Sequence, residues 1–449
     1  MSISSKESVE TMSVSSKESV ETMSVSSNKS GVENYPGLML GFLMLLNILN
    51  MVDRNLLASF GPQVVDELNL SDSEFGLLTG VIFVFFYSIM GLVMGFLADR
   101  YHRPRLIALG LVVWSALTAY SGIAKNFLQM AVARLFIGVG ESCLSPTSMS
   151  LLSDLYPSRR RGLVTAIFYL GPPLGAGGSF IIAGVLGPQI GWRNCFLIMG
   201  ALGLILALPL LLMKDAPRGA KDTLADNDYG NDAGNESWRH LFTTLKQSPA
   251  LMLTMLGAIF LHVPIGAANF SQLWLVRERG FETSEIATLY GILFIIFGTL
   301  GTLLGGFLGD WYHARYKGGR VRFLAFLMLA LTPLLLGYRL VEPSSPFFYV
   351  GMCTGFFLMS AFYGPAFSSI QDLSPARMRA RMTAILLVAC NLIGLGLGAV
   401  ITGVMSDLLQ GAAVANSLTW SLLTADILSL LTIPTFLLAS VYIAKHQKI

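Results

Sequence analysis

Charge is scarce in this sequence. Only 13% of its 449 residues are Asp, Glu, Lys or Arg, against 53% apolar residues. A mean hydropathy of +0.63 excludes an ordinary water-soluble domain. The net charge of +3 is dispersed among connections, so it forms no footprint for nucleic acid. Cysteine is rare too. Cys143, Cys195, Cys353 and Cys390 fall in or beside apolar stretches without metal-like pairing or spacing, and read as packing residues. A phosphate-cradling G-x-x-x-x-G-K is missing, as are any metal-ligand cluster and any nucleophile with a positioned base. These absences exclude ATP as the energy source and leave no expected cofactor or metal; the chain does not read as an enzyme.

What is present is apolar length. Stretches of about 20 residues, each sufficient to cross roughly 30 Å of hydrocarbon, recur from Gly37 to Ile443 and number twelve. Arg100, Arg103 and Arg105, then Arg159 to Arg161, then Arg315, Lys317, Arg320 and Arg322, then Arg377, Arg379 and Arg381 all fall on one alternate set of connections. The positive-inside rule makes that set cytoplasmic, with both termini, in a multi-pass cell (inner) membrane protein. Residues 1–34 repeat an eleven-residue Ser, Lys and Glu unit and are expected to be a disordered tail. Because each repeat opens on Met, the start could equally be Met1, Met12 or Met23.

Residues 214–248 form a polar interval that divides six spans from six and reads as a cytoplasmic linker. It separates an N-terminal bundle over residues 35–213 from a C-terminal bundle over 249–443, with a short tail at 444–449. The halves echo each other. G-F-L-A-D-R-Y-H-R-P-R from Gly95 is answered by G-F-L-G-D-W-Y-H-A-R from Gly306, and D-L-Y-P-S-R-R-R-G-L-V-T-A from Asp154 by D-L-S-P-A-R-M-R-A-R-M-T-A from Asp372. Two motifs recurring in order at an offset of roughly 210 to 220 residues predict two parallel repeats. The fold class expected is an all-α membrane protein, twelve transmembrane helices in two pseudo-symmetric six-helix bundles.

The G-x-x-x-D-R-x-x-R pattern at Gly95, Asp99, Arg100 and Arg103 matches the signature loop of the major facilitator superfamily, with a second copy at Gly306 and Asp310 and with His102 where the family usually has Gly. In that family the loop latches the outward-facing state, Asp99 capping or pairing across the interface between halves.

Charges inside apolar spans are more informative, because each is expensive unless it faces a cavity or a partner. Asp53 and Arg54 lie in the first span and Arg134 and Glu141 in the fourth. Arg134 and Glu141 are two turns apart, about 10 Å along one face, and cannot pair with each other. Asp53 and Arg54 point about 100° apart, so one of them looks into a central cavity and the other needs a helix neighbour.

N-x-x-D-R-N-L-L-A, S-D-S-E-F-G-L-L-T-G, G-V-G-E-S and L-L-S-D-L-Y-P-S-R-R-R together resemble the spinster-like transporters of the same superfamily, over residues 35–442. The resemblance implies alternating access for lysophospholipids or sphingoid phosphates, often with proton coupling. It makes Asp53 and Glu141 the protonatable carboxylates and Arg54 and Arg134 the partners of an anionic headgroup. Arginine suits that role, since its planar fork matches phosphate and carboxylate oxygens.

In Y-L-G-P-P-L-G-A-G-G from Tyr169, which resembles a motif of superfamily antiporters, Gly171, Pro172, Pro173 and Gly175 are expected to bend the fifth span. The second half reads as nearly uncharged within its spans, where the polar residues are His262, Asn269, Tyr290, Tyr363 and Asn391; His262, Asn269, Tyr363 and Asn391 are its candidates for the substrate. That asymmetry suits an amphiphile, headgroup on one wall and chain on the other. The reading is thus a monomeric, proton-coupled secondary transporter in contact with membrane lipids, moving an anionic lipid-like cargo. Transport of a small organic anion or drug-like compound is the alternative, and a non-transporting membrane sensor the alternative of another class.

Overall fold

The computed structural model describes residues 36–218, 238–375 and 378–446. The expected N-terminal tail and residues 219–237 of the expected linker lie outside them. Among the described residues twelve helices are long and apolar enough to cross a membrane. They are α1 (Pro36–Ser59), α2 (Asp72–Arg100), α3 (Arg103–Ser121), α4 (Phe127–Leu155), α5 (Arg160–Val185), α6 (Gly187–Leu212), α7 (Pro249–Arg277), α8 (Thr283–Arg315), α9 (Gly319–Gly337), α10 (Pro346–Leu373), α11 (Arg381–Gly411) and α12 (Ser417–Lys445). Helices are the required solution, because hydrocarbon offers backbone groups no partner outside the helix itself. The linker is not wholly irregular, since Trp238–Gln247 forms a short helix before α7.

Local sequence explains the starts and breaks. Ser71 and Glu74 of S-D-S-E form a reciprocal capping box at the head of α2: Ser71 Oγ accepts from Glu74 N at 3.1 Å, and Glu74 Oε2 accepts from Ser71 N at 2.9 Å. The fifth span is interrupted beside its prolines. One helix ends at Phe168 and the next begins at Gly171, with its prolines in the first turn, where the missing N–H has no bond to make. Asn47 Nδ2 of α1 donates to the carbonyl of Phe168 beside the break, at 2.9 Å.

The halves meet mainly at the end away from the basic connections. There Asp407, near the end of α11, accepts from the backbone N–H groups of Asp72 and Ser73 at 3.0 and 2.8 Å, capping the first turn of α2 from the other half. The Asp72 carboxylate is itself buried among second-half groups: Arg277 at 2.8 Å, Ser406 Oγ at 2.7 Å and Gln410 Nε2 at 2.8 Å.

At the opposite, basic end the two halves stand apart. A Cβ at Gly91 or Gly95 would meet nothing within 4 Å, and Asp99 and Arg100 are exposed. The expected latch belongs to the outward-facing arrangement and is not engaged in this one. Among the described residues Asp99 has no ion-pair partner, and Arg100 lies over the Phe96 ring of its own helix. Arg103 is fully buried within its own half, paired with Asp154 and, at 2.8 Å, with Asp215. The second copy repeats this: Arg320 binds Asp310 and Asp372, each at 2.6 Å, and Gly306 lies beside Gly364 of α10. With the halves separated at this end, Arg103 and Asp310 find their partners inside their own bundles.

Asp407→Ala would strip two charge-assisted hydrogen bonds from the closed end. Each is worth about 1.5–3 kcal/mol, and a loss of even ~2 kcal/mol moves an equilibrium roughly thirtyfold. Spin labels on the connections after α1 and after α11 are expected to report a new, longer distance; an unchanged distribution would show that Asp407 does not hold this end shut.

Candidate functional site

The G-V-G-E run of α4 sets the site. A Cβ at Gly138 would fall 2.6 Å from the carbonyl oxygen of Phe83 in α2, and one at Gly140 would fall 2.8 Å from the backbone nitrogen of Trp114 in α3. The two glycines therefore let α4 press against helices on two sides, and Glu141 follows directly, with its side chain wholly buried.

Glu141 Oε2 accepts from Arg54 Nε at 3.1 Å and from Nη2 at 3.0 Å, joining α4 to α1. The Arg54 guanidinium lies 4.2 Å from the ring centroid of Tyr87 and 5.1 Å from that of Phe83, so aromatic faces hold what the carboxylate leaves free. Arg134 also lies against Phe83, 4.8 Å from the ring centroid, and donates to the carbonyl oxygens of Arg54 and Leu78 at 3.2 and 3.4 Å. Asp53 turns the other way, where Trp114 Nε1 donates to its Oδ2 at 3.2 Å; its Oδ1 has no partner among the described residues. Of the adjacent pair, Arg54 is the one that faces the cavity.

That cavity, about 110 Å³, lies between the halves. Its first-half wall carries Arg54, Asn55, Thr79, Phe83, Tyr87 and Phe180; its second-half wall carries Asn269, Asn391, Phe294, Ile265 and Leu395 and no charged residue. Asn391 belongs to a stretch of wider π-type helix, Cys390–Gly396, inside α11. Such segments recur at functional sites. Asn269 Nδ2 donates across the interface to the carbonyl oxygen of Thr79, at 3.3 Å.

A family model described as Major Facilitator Superfamily matches residues 43–399. The chain belongs to this superfamily. Within it the sequence is spinster-like: it is 25% identical to "Protein spinster homolog 1" of Xenopus laevis over 429 residues, 90% of this chain and 81% of that protein. It is 28% identical to an "MFS-type efflux pump" of Mycolicibacterium smegmatis over 393 residues, 85% of this chain and 87% of that protein. The fold matches that of a bacterial homologue of the human lysosomal transporter spinster, solved in an inward-facing and unoccupied conformation, with a TM-score of 0.82 at 24% identity, covering 92% of this chain and 99% of that one.

In this superfamily member the remaining expected residues separate. His262 does not line the cavity. It is buried among helices, with Nδ1 2.9 Å from the Ala258 carbonyl and its ring edge-on to Phe362 and Tyr363, and Gly394 of α11 packs directly on its Cβ. Tyr363 stacks with Phe362 and is likewise absent from the cavity wall. Gly171 and Gly175 pack against Asn47, Ile48 and Met51 of α1, so the broken span serves helix packing in the first half.

The reading of an uncharged second half is corrected by a buried ion pair, Arg339 Nε to Asp426 Oδ2 at 2.9 Å. Asp426 stands inside the apolar run of α12, and the rule that singled out Asp53 would have found it. Arg339, just beyond α9, looks in sequence like a loop charge. Tyr87 and Phe83, the rings beneath Arg54, carry no signal that separates them from ordinary packing aromatics.

Gly140→Val would force α3 and α4 apart. Overpacking of this kind costs about 1–3 kcal/mol, and the displacement would draw Glu141 away from Arg54. Lower thermal stability together with loss of transport is expected in detergent and liposome assays; full activity would show that this close approach is not required.

Proposed function

We propose that this superfamily member is a proton-coupled secondary transporter that moves an anionic amphiphile, such as a lysophospholipid or sphingoid phosphate, by alternating access. The observation that carries the reading is the cavity between the halves, with Arg54 on one wall, held from behind by Glu141, and an uncharged wall of Ile265, Phe294 and Leu395 opposite. A headgroup and a chain would each find a matching surface there.

Charge balance supports the coupling. With Asp53, Arg54, Arg134 and Glu141 all ionised, the buried cluster is neutral and has little attraction for an anion. A proton on either carboxylate leaves it with one net positive charge, in a place where solvent screens weakly. Proton uptake then favours anion binding, and release of the anion favours loss of the proton. Arg54 contributes the fork that an oxyanion needs, and Glu141 competes with the cargo for it. In this reading both termini and the open end are cytoplasmic, the membrane is the cell (inner) membrane, and the chain works as a monomer.

A small organic anion is the second reading. The cavity volume of about 110 Å³ and the amides of Asn269 and Asn391 would suit a compact cargo rich in hydroxyl groups.

Purified protein in liposomes separates the two. Labelled lysophospholipid is expected to move under an imposed pH gradient, and labelled sugar acid is not. Glu141→Gln is expected to lose most of the pH dependence, and Arg54→Lys to lower apparent affinity about tenfold by removing a bidentate contact. Normal, equally pH-dependent transport by Glu141→Gln would falsify the coupling role.

A further inference from the structure

The second half contains a cavity of its own, about 50 Å³, enclosed by α7, α8, α9, α10 and α12, with Arg339 and Asp426 on its wall. Ala268, Tyr290 and Met359 line both this cavity and the central one, so a single layer of side chains separates them. Tyr290 is the middle of that layer. Its ring packs against Phe180 of the first half and Phe356 of the second, at centroid distances of 4.5 and 4.6 Å.

Arg339 is 5% exposed. Its Nε is taken by Asp426 and its guanidinium lies 4.8 Å from the ring centroid of Trp274, but Nη1 has no partner among the described residues. A buried guanidinium N–H without an acceptor is costly, and native structures seldom leave one unless something binds there. Asp426 already neutralises Arg339. A second anion in this apolar enclosure would be uncompensated, whereas a neutral oxygen accepts the N–H without adding charge. The space suffices for a hydroxyl or carbonyl group and a few attached atoms, and not for a long alkyl chain.

We propose that this cavity is a second subsite, in which Arg339 Nη1 donates to a neutral hydroxyl or carbonyl oxygen of the cargo while the cargo's anionic group lies against Arg54. Displacement of the Tyr290 ring joins the two cavities. The inference rests on the reading of Arg54 as an anion site and adds a requirement: the cargo carries a second oxygen function close to its charged group.

Gly355 offers the test. It lines the cavity, and a Cβ there would meet nothing nearer than Leu335 Cδ1 at 3.9 Å. Gly355→Ala therefore narrows the space without touching the ion pair, and an unchanged melting temperature checks its fold. Binding of lauroyl lysophosphatidate, dodecyl phosphate and glucuronate would be measured on purified wild-type and G355A protein. Wild type is expected to bind lysophosphatidate about tenfold more tightly than dodecyl phosphate, the effect of one charge-assisted hydrogen bond, and G355A to close that gap.

Equal binding of the two phosphates in both proteins would overturn the subsite and leave the amphiphile reading standing. Binding of glucuronate alone, weakened by G355A, would sustain the subsite and overturn the amphiphile. Glucuronate binding that G355A leaves unmoved, or no binding of any probe, would overturn both.

Discussion

A charge inside a bilayer must find its counter-charge within the protein, and the Arg54–Glu141 contact is where that constraint bears hardest on this structure. It ties α1 to α4 through a carboxylate wholly removed from solvent. The surrounding features follow from it. Glycines at 138 and 140 bring α2 and α3 close enough to enclose the pair, and the rings of Phe83 and Tyr87 cover the faces of Arg54 that the carboxylate does not use. Burial of this kind does not by itself stabilise a protein, because desolvation offsets the attraction.

Most of the fold was legible in the sequence because the bilayer leaves so little choice. Apolar length sets the helices, and the duplicated motifs around Asp99 and Asp310 and around Asp154 and Asp372 set the two halves. Rarity made the N-terminal charges legible too, and the seven-residue spacing of Arg134 and Glu141 already ruled out their pairing. Harder to read was anything that depends on which helices touch. His262 has the chemistry of a cavity residue, but its rotation about α7 places it against Phe362 and Gly394. Arg103 looks like a solvated loop cation and is fully buried between Asp154 and Asp215. Asp426 was visible in principle; the partner that makes its burial tolerable, Arg339, lies almost ninety positions away and has no local signature.

The two halves solve the same electrostatic problem with different results. In the first, four charges share one cluster open to the central cavity through Arg54. In the second, one pair sits a layer deeper, behind Tyr290. The central cavity consequently meets charge directly on one side and only through an aromatic ring on the other.

The contacts that close the bundle differ in setting from those that line the site. Arg277, which secures Asp72, keeps 38% of its side chain in solvent, whereas the Glu141 side chain keeps none. Mobile ions reach the first and not the second, and at physiological ionic strength they screen over about 8 Å. Ionic strength on the closed side therefore weakens the Asp72–Arg277 contact and leaves the Arg54–Glu141 attraction almost untouched. The two contacts become separable by a salt titration, which most substitutions in a structure this tightly packed would not achieve.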